Sequence, residues 1–184
     1  MSSDSSKPII FISYAHADGP EHNAVWLPFV CDFLDPGIQD GAFEVWTDRL
    51  MRGGENWNDE IERKLRACDI FIVLVSRYST SSQYIVEKEI AIIRERQDKE
   101  ENVHFYPLLL TPTPKAGLKK VQDKNLRPRG ASPFLKLSRY KREKEMCEIA
   151  DELDEIAREI TARRNLETKN PERRDSNELA ELFS

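Results

Sequence analysis

The sequence has no surplus of positive charge. Its 28 Lys and Arg residues stand against 33 Asp and Glu, for a formal charge of −5. A general nucleic-acid binder usually presents a basic face, so that class is disfavoured. No apolar run approaches the ~20 residues of a membrane span, and the opening MSSDSSKP lacks the apolar stretch of a signal peptide. A cytosolic protein is expected. Cysteine is scarce: Cys31, Cys68 and Cys147 are far apart and include no C-x-x-C pair. Zinc and dithiol chemistry are therefore disfavoured, and reduced thiols in or near the core are expected. The histidines, His16, His22 and His104, show no H-x-x-x-H spacing, so no metal site is expected.

What remains is enough for one domain with one substantial core, since 184 residues without an internal repeat rarely hold two. PIIFISYA (8–15) and IFIVLVS (70–76) are nearly continuous apolar runs, as in strands covered on both faces. FEVWTD (43–48) and VHFYPLLLT (103–111) add two strands, and PFLKLS near residue 135 reads as a short edge strand. Helices are expected over 24–34, stopped by D-P-G and with Pro28 in the first turn or at a kink. Others are expected from Asn58 or Asp59, over 81–93, and over 139–164, where Met146, Ile149, Leu153, Ile156 and Ile160 recur at helical spacing.

Strands alternating with helices predict an α/β fold, a flavodoxin-like parallel sheet of about five strands with helices on both faces. Residues 1–7 are expected to be a disordered N-terminus and 8–165 the folded domain. Residues 166–184 are expected to be a flexible C-terminal tail or linker to a further module, with NELAELF either a frayed helical turn or a docking peptide. In such sheets ligands collect beyond the carboxyl ends of the strands. Those ends are Ser13-Tyr14-Ala15, Thr47-Asp48-Arg49, Ser76-Arg77 and Thr111.

One helix carries an anomaly. In SSQYIVEKEIAII (81–93), on a wheel of about 100° per residue with Ile85 at zero, Ile85, Val86, Ile90, Ile92 and Ile93 span an arc of roughly 160°. Glu89 lands inside that arc, near about 40°, whereas Glu87 lands outside it, near about 200°. A carboxylate on an aliphatic stripe is costly unless it is paired, hydrogen-bonded or opens onto a polar cleft. Three readings follow: Glu89 pairs with a nearby Arg such as Arg49, Arg52 or Arg77, it simply edges the buried stripe, or it faces a cleft at the sheet's carboxyl edge.

These residues also match a family pattern. IFISYAHAD resembles the first box of TIR (Toll/interleukin-1 receptor) domains. VWTDRLMRGGENWNDEIERKLRACDIFIVLVS resembles their second strand, BB loop, following helix and third strand, and SSQYIVEKEI resembles the start of their next helix. The likeness covers about residues 8–110 and is closer to bacterial TIR domains than to animal receptor tails. Many such domains cleave NAD+ at the nicotinamide–ribose bond, and the family's catalytic glutamate precedes an aliphatic residue on this helix, as Glu89 precedes Ile90. The family often has an aromatic residue four positions before the glutamate. Here Ile85 holds that place and Tyr84 stands five before, so Glu87 remains a second candidate.

The resemblance implies an NAD+ glycohydrolase with NAD+ as substrate and no further cofactor. Ser13 and Tyr14 become substrate-binding candidates, with Tyr14 or Phe11 as a stacking ring; Phe11 reads better as sheet core. Tyr84 joins them as a substrate-binding candidate. Asp48 and Arg49 open the BB loop, and Arg49 and Arg52 suit a diphosphate or are simply solvated. Trp57 either covers the ligand or anchors its helix, and Trp26 and Trp46 read as packing residues. The resemblance further implies contact with other TIR domains through the BB loop, a site completed by self-assembly, and a separate sensor module or partner, as in an antiphage defence effector. No direct nucleic-acid or membrane partner is expected.

Two other readings compete, an adaptor and a nucleoside enzyme, and a third, a receiver domain, is rejected. A non-enzymatic TIR adaptor would use the same loops for homotypic contact. A phosphoacceptor receiver needs an acidic pair after the first strand and an Asp after the third, where this chain has Ser13-Tyr14 and Val75-Ser76. A deoxyribosyltransferase-like enzyme also uses a single glutamate on an α/β sheet.

Overall fold

The computed structural model describes residues 7–47 and 57–169. Four parallel strands, β1 (Ile9–Ser13), β2 (Glu44–Thr47), β3 (Ile70–Val75) and β4 (His104–Leu109), form one sheet in the order β2-β1-β3-β4. All six residues of β3 are buried, as its unbroken apolar run requires of a strand covered on both faces. Successive side chains of β1 serve opposite layers. Ile10 and Ile12 pack with α1 (Pro20–Gln39) and α5 (Arg139–Lys169), through Trp26, Leu27, Val30, Met146, Ile149 and Leu153. Phe11 packs on the other side with Ile61 and Leu65 of α2 (Trp57–Ala67) and Ile92 and Ile93 of α3 (Ala91–Asp98).

Arg96 fixes the second layer. Its guanidinium, on α3, donates to the carbonyls of Leu65 and Cys68 at the end of α2 and to Glu101 Oε2, at 2.7, 2.8 and 2.8 Å. Terminal carbonyls of a helix lack intrahelical partners, so this cation caps α2 and ties it to α3.

The sheet has four strands rather than five. The segment expected as an edge strand is instead a 3-10 turn, Phe134–Lys136. The open edge of β4 is met by single residues. Arg127 N donates to Pro107 O at 2.9 Å, Leu109 N donates to Arg127 O at 2.7 Å, and Asn125 Nδ2 donates to Phe105 O at 3.2 Å. Pro107 lacks an N–H, and its carbonyl points to this outer edge, where proline is tolerated in a sheet. A covered edge needs no further strand to protect it. The loop between β4 and α5 also holds a short helix, α4 (Lys115–Lys120).

Two helices outrun their sequence signals. α1 begins at Pro20, and passes through Asp35-Pro36-Gly37 to Gln39, with Pro28 and Pro36 inside it. A proline loses its own donor but still accepts, and Pro36 O takes the N–H of Asp40 at 2.9 Å. Packing of Leu34 in the core offsets the weak local propensity. α5 continues past Arg164, whose side chain donates to Asp69 at 2.5 Å, while Asp69 also accepts the N–H of Ile9 at 2.9 Å. The NELAELF segment lies outside the described residues. The thiols are not all sheltered: Cys68 is buried, Cys31 half-buried, and Cys147 is exposed at a depression between α1 and α5. Burial pushes the Cys68 thiol up to about 12.

Two outcomes follow. Gly37→Ala, usually favourable in a helix by about 0.5–1 kcal/mol, would place a methyl 2.5 Å from the buried Phe43 ring. It is expected to destabilise by about 1–2 kcal/mol in denaturant unfolding, because overpacking costs more than the helix gains. Iodoacetamide is expected to modify Cys147 rapidly in the native state and to leave Cys68 unmodified until the protein unfolds, as read by peptide mass analysis.

Candidate functional site

β1 ends at Ser13, level with Val73 in the middle of β3. The chain then leaves the sheet through Tyr14 and Ala15 and closes a 3-10 turn, His16–Asp18. Two hydrogen bonds hold this exit. Asn23 Nδ2 donates to Ala15 O at 3.0 Å, and Ser76 Oγ, at the end of β3, donates to Asp18 Oδ2 at 2.7 Å. Ser76 Oγ also accepts the N–H groups of Tyr78 and Ser79, so its hydroxyl is fixed in orientation.

Opposite this exit, Tyr84–Ile90 is wound as a π-helix leading into α3. Such segments are rare and are frequently found at functional sites; each turn holds about one extra residue. A wheel of about 100° per residue therefore does not describe it. In this winding the residues four and five before Glu89 both stand beside it, and Ile85 and Tyr84 both line the same cavity as Glu89. The aromatic residue one position out of the family's usual spacing is thus brought to the glutamate by the local helix geometry.

Glu89 is 4% exposed, whereas Glu87 is on the surface. Ser13 Oγ donates to Glu89 Oε2 at 2.5 Å across 76 residues of sequence. The two share a cavity of about 220 Å³ with Phe11, Tyr14, Ala15, His16, Ala17, Ser82, Tyr84 and Ile85. Tyr14 stacks on His16, with ring centroids 5.0 Å apart. Phe11 is fully buried against Trp46 and Phe71, and forms a wall of the cavity as well as part of the core. The cavity lies at the carboxyl end of β1, where ligands of open parallel sheets collect.

Ser13, Tyr14, Tyr84 and Glu89 are therefore brought together. Asp48, Arg49 and Arg52 lie outside the described residues, and of Trp57 only its place at the start of α2 is described. Arg77, considered as a partner for Glu89, instead donates to Tyr78 Oη at 2.8 Å and lies over that ring. Trp26 is buried, and Trp46 is half-buried against Phe11. His16, Ser82 and the Asp18–Ser76 link had no local sequence signal beyond adjacency to strand ends.

Two other depressions are larger. One, of about 570 Å³, is lined among the described residues by α2, through residues such as Glu62 and Arg66. The other, of about 360 Å³, lies between α1 and α5 and is lined by Asp32, Asp40, Asp151 and Asp154 among others. Neither holds a buried ionisable side chain facing aromatic walls. Among the described residues, no group of three or more His, Cys, Asp or Glu is set to hold a metal ion, and no helix is long and apolar enough to cross a membrane.

A carboxylate in an apolar, aromatic-walled cavity suits a planar ring on one side and a developing positive charge on the other. Pockets that enclose a drug-sized ligand usually hold roughly 300–1,000 Å³. A cavity of 220 Å³ fits a nucleoside-sized fragment.

A comparison with curated proteins gives no match. The family model described as TIR domain matches residues 10–137, from β1 to the turn before α5. That span takes in the four described strands from Ile10 onward, the π-helical segment and the cavity, and the chain belongs to the TIR domain family.

Proposed function

We propose that this TIR domain cleaves NAD+ at the nicotinamide–ribose bond, with Glu89 as the catalytic carboxylate. The observation that carries this reading is Glu89 itself: a buried carboxylate that lines a cavity walled by Phe11, Tyr14 and Tyr84. Nicotinamide leaves a cationic pyridinium as a neutral base, so no acid is needed to protonate it. The ribose becomes oxocarbenium-like as the bond lengthens, and one nearby carboxylate stabilises that charge. Water then captures C1′ to give ADP-ribose, or a hydroxyl or ring nitrogen of the same molecule captures it to give a cyclic form. A single carboxylate is half of the usual glycosidase pair, which fits a leaving group that needs no general acid.

The aromatic side chains accept the nicotinamide ring, and the diphosphate falls to Arg49 and Arg52 of the BB loop. The described cavity holds only part of a dinucleotide, which favours completion of the site by further residues, from that loop or from another TIR domain. TIR domains interact homotypically, so clustering is the natural trigger, with a sensor module or partner supplying it in a bacterial defence setting in the cytosol.

Release of nicotinamide from NAD+ at rising protein concentration tests this reading. Turnover is expected to rise more steeply than linearly, to fall about 100-fold or more in Glu89→Gln, and to persist in Glu87→Gln. No turnover at any concentration with folded protein would leave the domain as a homotypic adaptor. Turnover of nucleosides but not of dinucleotides would indicate a nucleoside transferase instead.

A further inference from the structure

We infer that Ser13 is a positioning residue, which holds the Glu89 carboxylate ionised and oriented at the cavity rather than binding substrate itself. This rests on the proposed role of Glu89. A serine hydroxyl has one proton to donate, and Ser13 spends it on Glu89 Oε2 at 2.5 Å. Ser13 is 4% exposed, and its backbone is fixed by pairing of β1 with β3. The hydroxyl is therefore held by a strand paired within the sheet, which suits a group that must fix another in place.

The bond opposes a specific cost. Glu89 lies beside Ile85, Ile90 and Phe11, all buried, and an apolar setting favours the protonated acid. A protonated glutamate carries no charge to stabilise a ribosyl cation. A hydrogen bond donated to the carboxylate favours the ionised form. Among the described residues, the other titratable groups around the cavity are Tyr14 and His16, from the segment after β1, and Tyr84, from the same helical segment as Glu89. On the flanks, Lys88 lies over the Tyr84 ring and reaches towards Glu62 of α2, and Lys64 of α2 lies over Trp46. β3 brings only the apolar Phe71, Val73 and Val75 to this layer.

The test compares the full chain with Ser13→Ala and Ser13→Thr. Glutamate labelled with ¹³C at the carboxyl carbon reports the titration of Glu89 directly, its signal assigned by its loss in Glu89→Gln. In Ser13→Ala the Glu89 midpoint is expected to move upward by about one to two pH units; in Ser13→Thr, which keeps the hydroxyl, it stays at the wild-type position. The acid limb of kcat/KM for NAD+ should move with it, so that on acidification Ser13→Ala loses activity at a higher pH than the wild type and recovers it as pH rises. An unchanged midpoint in Ser13→Ala, or a uniformly raised KM with no change in the pH profile, would overturn the inference. The carbon signal is read without substrate, so it decides the role of Ser13 even if the wild-type protein releases no nicotinamide.

Discussion

A carboxylate buried between a sheet and an aliphatic helix face is unfavourable by several kcal/mol unless something compensates it. Among the described residues, the Ser13 hydroxyl and the cavity it lines contribute to that compensation for Glu89. Most of the local architecture bears on this arrangement. The short exit from β1 presents Ser13, the Asp18–Ser76 bond holds that exit against β3, and Arg96 ties α3 to α2 behind the glutamate. The π-helical winding then lets Tyr84 and Ile85 stand on the same side as Glu89. The residues of the site come from two distant segments, and it is the parallel pairing of β1 with β3 that makes them neighbours.

The central strands were legible because a strand covered on both faces must be apolar throughout, and 70–75 could be little else. Burial of Glu89 and exposure of Glu87 were legible as well, although the winding departs from the α-helical geometry on which the wheel relies. The separation survived because the two glutamates are only two residues apart, and a small change in angle per residue cannot bring both to one face. The passage of α1 through Asp35-Pro36-Gly37 was not legible, since local chain preference was overridden by packing of Leu34 and by the seat of Gly37 against Phe43. The missing fifth strand was hidden for a similar reason. Residues 125–127 satisfy the β4 edge with a few hydrogen bonds and leave no periodic pattern.

The site itself was only partly legible. Ser13, Tyr14 and Glu89 were marked by strand ends and by a misplaced charge. The contact between Ser13 and Glu89, and that between Ser76 and Asp18, join residues 76 and 58 positions apart and depend on tertiary pairing. The cavity's small volume also lay beyond the sequence. If the substrate is a dinucleotide, as proposed, a cavity that encloses only a nucleoside-sized fragment depends on other residues for the rest of it. On the proposed reading, regulation by clustering and chemistry at Glu89 then belong to one physical requirement, completion of the pocket.

The most direct measurement is a crystal structure of the clustered protein with a carbocyclic NAD+ analogue that cannot be cleaved. The account predicts the pyridinium ring between Tyr14 and Tyr84, with the carbon in place of C1′ within roughly 3–4 Å of a Glu89 oxygen. A dinucleotide bound elsewhere, or a ring system seated in this cavity with its sugar directed away from Glu89, would contradict it.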